Sequence, residues 1–283
     1  MGYWKNPVII DAAPFQPKQW FTDLDAVILA TDYWDRAGSK KNVEFPPLGA
    51  IRYENAWMGG GAYKNIFVDG EALFMWVWNN SGSDIAKGVP MQRRANFTIT
   101  DLVSGGVNYG VDTGLTANNL IGGLIQCNDN NSGAGAAPEG EVGKVYANDT
   151  TTIKFQPDMS VALAVSDDMI ISFNDHVVVG ATGVQLCDFR GVPVASGGIP
   201  NGYMGWSVVQ ASAAQCLAIP AAGGAAMTVA KGMINGNGGF FDDGSTSAVP
   251  LVLGYVLQGL QADSVARLFM ASLGRNQVRG VSV

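Results

Sequence analysis

Leu73-Phe74-Met75-Trp76-Val77-Trp78-Asn79-Asn80-Ser81-Gly82 is the stretch on which the fold turns. Aromatic and β-branched residues crowd its first six positions, and Asn and Gly close it. That combination fits a pleated strand running into a turn, because such side chains pack on a half-buried sheet and Asn and Gly accept turn geometry. Upstream, Ile66 and Val68 belong to the same kind of run, broken by Asp69-Gly70. Downstream, Gly88 is a further turn residue, and Phe97-Thr98-Ile99-Thr100 alternates as a half-buried strand through Leu102. The pattern repeats. Strands are expected at Gly143–Ala147, Thr150–Phe155, Met169–Phe173 (after a turn at Asp167-Asp168), Val177–Val179, Val184–Leu186, Trp206–Gln210, Leu217–Ile219, Leu251–Leu257 and Val265–Phe269. Helix candidates are few and short, around 18–29 and 116–124. Many strands at roughly ten-residue spacing (no βαβ rhythm among them) predict a mainly β chain, a sandwich or barrel of short antiparallel strands.

Residues 1–57 differ. Trp4, Phe15, Trp20, Phe21, Tyr33, Trp34, Tyr53 and Trp57 are spread among Pro7, Pro14, Pro17, Pro46 and Pro47, and proline enforces extended segments. This predicts an extended N-terminal arm that lies on its own domain or on a neighbouring subunit. A β-rich body follows at 58–200, with a Gly- and Asn-rich excursion at 104–143, and then a C-terminal β-rich part at 201–283 that belongs to the same domain or a second one. Gly59-Gly60-Gly61 fits no phosphate-binding pattern and suits a hinge between arm and body. Ile85-Ala86-Lys87-Gly88 and Val229-Ala230-Lys231-Gly232 echo each other as turns entering strands.

The 283 residues can bury a substantial core. Only 14% are charged and 47% are hydrophobic, which excludes a disordered chain. The net charge of −7, with a pI near 4.6, argues against a nucleic-acid binder. Residues 1–94 hold ten basic and ten acidic residues, whereas 95–283 hold seven and fourteen and so carry the whole imbalance. Two readings fit: a solvated acidic surface, or a neutral first third that lies against a partner while the acidic part faces water.

Cys127, Cys187 and Cys216 match no zinc spacing and read as small buried or free thiols of a reducing compartment. Asp11 interrupts the N-terminal apolar stretch, so neither a secretory signal nor a membrane partner is expected, and the longest apolar runs fall far short of a span. Asn-x-Ser/Thr triplets at Asn79, Asn96, Asn130 and Asn148 carry no weight without a secretory route. A Ser-His-Asp or Cys-His catalyst would have to use His176, the only histidine, which sits in a turn entering a strand and is expected at the surface. Asn128-x-Asn130-x-Ser132-Gly133 with Glu139 keeps calcium-loop spacing but starts with Asn rather than Asp, so a flexible polar loop is expected. Asp167-Asp168 and Asp242-Asp243 sit in turn-like settings, where Asp bonds local backbone. The expectation is a non-enzyme with no metal and no cofactor.

Three segments carry a resemblance. They are Val77-Trp78-Asn79-Asn80-Ser81-Gly82-Ser83-Asp84-Ile85-Ala86-Lys87-Gly88-Val89-Pro90; Gly202-Tyr203-Met204-Gly205-Trp206-Ser207-Val208-Val209-Gln210, leading through Ala214–Ile219 to Ala221-Ala222-Gly223-Gly224; and the closing Leu253-Gly254-Tyr255-Val256-Leu257, Ala262-Asp263 and Val265-Ala266-Arg267-Leu268-Phe269. In this order they resemble the hairpins of the head decoration, or cement, proteins of tailed bacteriophages. The matches cover about a quarter of the chain. The arm at 1–57 and the excursion at 104–143 depart from the pattern of the small members.

The resemblance implies a virion protein made in the host cytoplasm that binds the outer face of the capsid and clamps it. The implied partners are the major capsid protein and copies of the chain itself, a trimer being favoured, with no nucleic acid involved. Trp4, Trp20, Phe21, Tyr33, Trp34 and Trp57 are then the anchor candidates, since Trp and Tyr dominate interface hot spots. Arg275 and Arg279 either pair with acidic capsid surface or belong to a solvated tail. A phage tail or fibre component that binds host glycan is the alternative. A major capsid subunit would show a long helix, and none is visible in the sequence.

Overall fold

The computed structural model describes residues 27–30, 46, 48–55, 68–129, 137–180, 188–218, 232–236, 239–242, 253–258 and 267–274. The chain is mainly β and falls into two compact units, the second being built chiefly from Arg94–Asn174, inserted within the sequence of the first.

The first unit contains Val27–Leu29 (β1), Ile51–Asn55 (β2), Val68–Asn79 (β3) and Met91–Arg93 (β4). After the insertion the chain returns to it as His176–Val179 (β12), Val192–Pro193 (β13), Tyr203–Ala218 (β14), Gly232–Gly236 (β15), Gly239–Asp242 (β16), Gly254–Val256 (β17) and Arg267–Leu273 (β18). The inserted unit supplies Phe97–Ile99 (β5), Ser104–Gly105 (β6), Tyr109–Val111 (β7), Leu124–Asp129 (β8), Val142–Asn148 (β9), Thr152–Gln156 (β10) and Asp168–Ser172 (β11).

The first unit is one sheet in the order β16-β15-β17-β18-β14-β3-β12-β4, with β1 and β13 also on β14 and β2 on β3. Its axis is the antiparallel pair β3 and β14, which runs from Met204↔Trp78 to Ala214↔Val68. At the Val68 end alternate residues are buried, as in a strand with one wet face; at the Trp78 end four consecutive residues, Trp76 to Asn79, are buried. Both faces are covered there. On one, Val77 packs with Ile85, Val89, Met91, Val177 and Ile199. On the other, Trp76 lies opposite Trp206, their rings 5.2 Å apart edge to face, and Phe74 lies opposite Val208.

The expected break at Asp69-Gly70 is absent: β3 continues through it. Only a bulge in β3 marks it: Ala72 pairs Ala211 and Asp69 pairs Ala213, so Gly70 and Glu71 stand opposite Ser212 alone, while a second shift leaves Val209 as the extra residue in β14. Trp206–Gln210 and Leu217–Ile219, expected as separate strands, lie in a single 16-residue strand through residue 218. Two pieces of the expected arm are described, β1 and β2. Both pair with strands of their own unit, at Val27↔Gly205 and Ile51↔Met75.

The inserted unit is a seven-stranded sheet, β5-β11-β8-β9-β10-β7-β6. Its curvature follows from connectivity. Six gaps of about 4.8 Å would put the edge strands about 29 Å apart if the sheet were flat. Yet the edges β5 and β6 are neighbours in sequence, and the five steps from Ile99 to Ser104 reach at most about 18 Å. The sheet therefore curls into a half-barrel around one cluster: Ile99 from β5, Ile125 and Cys127 from β8, Val145 from β9, Ile153 and Phe155 from β10, and Met169 and Ile171 from β11. Residues 157–167 seal the gap. Leu163 N donates to Gly106 O (3.2 Å), Ser166 N to Leu102 O (2.8 Å), and Leu102 N to Asp167 O (3.0 Å).

The helix expected at 116–124 is a series of turns. Asn118 has φ 61°, and the buried Asn148 side chain ties the segment down, donating to Thr116 O (2.8 Å) and accepting from Leu120 N (2.9 Å). Within the expected excursion at 104–143, β6, β7, β8 and the start of β9 are regular strands.

Candidate functional site

Trp4, Trp20, Phe21, Tyr33, Trp34, Trp57, Arg275 and Arg279, the anchors expected from sequence, all lie outside the described residues, as do Cys187, the Gly59–Gly61 hinge and most of the second copy of the internal echo. Asn130, Ser132 and Gly133 of the calcium-like spacing, and Asp243, lie outside them as well; His176, Asp167, Asp168, Asp242, Cys127 and Cys216 are described.

His176 is a correction. It is 1% exposed and opens β12, the parallel neighbour of β3, directly beside Trp78. Its ring lies 4.5 Å from the Trp78 ring, and its Nδ1 is 3.5 Å from Asn80 Nδ2. The turn at Asn174-Asp175 was legible; the burial was not, because it depends on a strand about a hundred residues away. A histidine packed on tryptophan beside an amide is a core residue.

The other polar candidates are structural too. Asn79 is buried at the end of β3 and organises the turn that follows. Its Nδ2 donates to Ser83 O (2.9 Å) and Ile199 O (2.7 Å), and its Oδ1 accepts from Ser81 N (3.2 Å) and Ser81 Oγ (2.7 Å). Asp167 accepts from Ala164 N (2.8 Å) and Asp168 from Asp101 N (3.0 Å), the local backbone role expected of them. Asp242 ends β16 rather than occupying a turn. Cys127 and Cys216 are buried free thiols. Burial, joined by the charges of Asp167, Glu139, Asp129 and Glu141, pushes Cys127 up to about 11; burial alone pushes Cys216 up further. Both are poor nucleophiles at neutral pH. Among the described residues no three His, Cys, Asp or Glu side chains converge on a metal position.

What the inserted unit offers instead is a surface. The hairpin β6–β7 closes at Val107-Asn108, with Gly106 N donating to Tyr109 O (2.8 Å), and the Tyr109 ring sits so close to Gly106 that a Cβ there would collide with it. The strap at 157–167 runs beside this hairpin. Met159 and Leu163 turn inward to the core, while Val161 and Val165 turn out. Val103, Val107, Tyr109, Val161 and Val165 are all exposed, Val165 at 63%. Glu141 anchors the strap: Oε2 accepts from Ser160 N (2.7 Å) and Oε1 from Ser160 Oγ. These hydrogen bonds hold the Glu141 carboxyl below its ordinary range.

Sequence reasoning passed over these five residues. The inside–outside alternation of Met159, Val161, Leu163 and Val165 is written in the chain, but nothing local says that the outer pair is left uncovered. No protein family, curated protein or solved structure matches this chain.

Proposed function

We propose that this chain is a bacteriophage structural protein that binds the outer face of the capsid and stabilises it. The observation that carries the reading is spatial. The three segments that resemble decoration proteins are far apart in sequence, yet their described parts meet in one unit. Trp78 and Val77 pair with Met204 and Gly205, Leu217 N donates to Gly88 O (2.9 Å), and β14 pairs β18, which pairs β17. A shared architecture would bring such segments together, whereas chance hairpins have no reason to adjoin. The chemistry supports the same reading. A clamp needs a rigid β body and apolar contact rather than a nucleophile, and many symmetric copies on a shell add avidity.

The test is co-sedimentation of the purified protein with capsids of the phage that encodes it, before and after expansion. Saturable binding that favours expanded capsids is the expected result, and the copy number gives the symmetry position. Alanine at Trp4, Trp20 and Phe21 should weaken binding without touching β1 or β2. Absence of binding to either capsid form overturns the proposal and makes a host-glycan screen the next experiment.

A further inference from the structure

We infer that the apolar tip of the inserted unit, formed by Val103, Val107, Tyr109, Val161 and Val165, is a docking surface for a basic, apolar polypeptide segment of another protein. This goes beyond capsid binding and does not depend on it.

Single exposed apolar side chains are ordinary on any surface; a contiguous group is not. Here the five stand on two segments laced together by backbone hydrogen bonds. Met159 N donates to Val107 O (2.6 Å), Leu163 N to Gly106 O, Ser166 N to Leu102 O, and Val103 N to Val111 O (2.9 Å). The fold does not require valine at the outer positions, since Leu102, Met159 and Leu163 already fill the core beneath. Because the same hydrogen bonds occupy the backbone along this edge, a partner is recognised through side chains rather than by strand addition.

Charge selects the occupant. Residues 94–174 contain three basic residues (Arg94, Lys144 and Lys154) and nine acidic ones, a net −6 out of −7 for the whole chain. Asp101 and Asp158, both exposed, precede the two segments, Asp168 bonds Asp101 N, and Asp112 follows β7. Lys154, opposite Tyr109 in the register, is the basic residue nearest in the sheet. A second copy would set one acidic segment of net −6 against another, an arrangement that repels. A segment with Lys or Arg between apolar side chains is drawn in by the acidic surround and covers the valines.

The experiment uses the full chain and a fluorescein-labelled ten-residue peptide of alternating Val and Lys, with an alternating Val and Glu peptide as counterpart. Anisotropy is read at 50 and 500 mM NaCl, and hydrogen exchange maps the contact. The Lys peptide is expected to bind, more weakly at high salt, with new protection confined to 102–111 and 157–167. The double variant V161S/V165S, whose altered residues are solvent-facing, should lose about tenfold in affinity. The variant D101N/D158N should flatten the salt dependence. Four results overturn the inference: no binding, equal binding of the Glu peptide, unchanged affinity in V161S/V165S, or protection elsewhere. Sedimentation velocity provides a fifth, since self-association abolished by V161S/V165S would make the occupant a second copy.

Discussion

Gly198→Ala should unfold the first unit far more readily than Gly82→Ala, although the two glycines have nearly the same backbone conformation. Gly198 has φ +77° and Gly82 φ +87°. Both lie in the left-handed region, where an alanine costs about 1–2 kcal/mol, offset by up to about 1 kcal/mol from the stiffened unfolded chain. Gly82 has open space around it, so the Gly82 variant should lose about 1 kcal/mol or less. At Gly198 a Cβ would lie 2.1 Å from the carbonyl oxygen of Ile85 and 2.8 Å from the Ala86 Cα. Contact that close forces the chain apart by more than 1 Å. The two hydrogen bonds of the Ile85–Ile199 bridge, 3.0 and 2.8 Å long, cannot survive such a shift. Losing them costs about 2 kcal/mol, and displacing the buried Ile85 and Ile199 adds about 1–3 kcal/mol of strain. The Gly198 variant should therefore fall about 3–5 kcal/mol below the Gly82 variant. Urea unfolding followed by tryptophan emission reads this, because Trp76, Trp78 and Trp206 are buried in the first unit and residues 94–174 contain no tryptophan. With an m-value of about 2 kcal/mol/M, the midpoints should differ by about 2 M. A difference under about 0.5 M would refute the close packing of Gly198 on Ile85.

Three other perturbations test separate parts of the molecule. Asn79→Ala strands the buried Ile199 carbonyl and unties the turn at Ser81 and Ser83, and should cost about 1–3 kcal/mol in the same urea assay. In the second unit, hydrogen bonds from Ser160 to Glu141, and from Thr151 and Thr152 to Asp149, hold both carboxyls below their ordinary values of 4.5 and 3.8. A depressed carboxyl stabilises the fold above its unfolded value and loses that contribution as the pH falls through the folded one. Urea midpoints followed by far-UV circular dichroism should therefore decline below about pH 4.5, and Glu141→Gln should make the decline shallower. Cys127 and Cys216 should resist iodoacetamide at pH 7.5 until urea is added, as read by peptide mass mapping; rapid labelling in the native state would show that they are not enclosed.

The β class was legible because aromatic and β-branched runs alternate with Asn and Gly turns along the chain, and the structure places strands over most of those runs. What escaped was set at long range. Asp69-Gly70 has the composition of a turn, yet β14 pairs on both sides of it, and β3 runs on with only a bulge at Gly70-Glu71. Gln210-Ala211-Ser212-Ala213-Ala214 has little strand propensity, but β3 on one side and β18 on the other hold it extended. The segment 116–124 reads as helical until the Asn148 side chain, from β9, bonds Thr116 and Leu120 within it. His176 reads as a surface residue until β12 is laid against Trp78. In each case the deciding partner is distant in sequence, from 28 residues between Leu120 and Asn148 upward.

Charge is where sequence and structure bear most directly on each other. The break at Arg94 is plain in the sequence, where a neutral stretch gives way to an acidic one. The fold adds a second boundary, at Asn174, because residues 175–283 hold five basic and five acidic residues. The excess charge is thus confined to one inserted unit with its own core, while the sheet of β3 and β14 belongs to a chain that is close to neutral. Self-repulsion within an 81-residue segment of net −6 is modest, but the field it projects is concentrated in one unit rather than spread over the molecule. A neutral body suits broad contact that depends mainly on apolar burial and is insensitive to salt. An acidic unit with valines at its tip suits a smaller contact that salt weakens. Binding of the two kinds should separate on a salt titration: raising NaCl from 50 to 500 mM should leave co-sedimentation with capsids nearly unchanged while releasing the basic peptide. If capsid binding falls in parallel with peptide binding, the acidic tip itself holds the shell and the neutral body is not the contact surface.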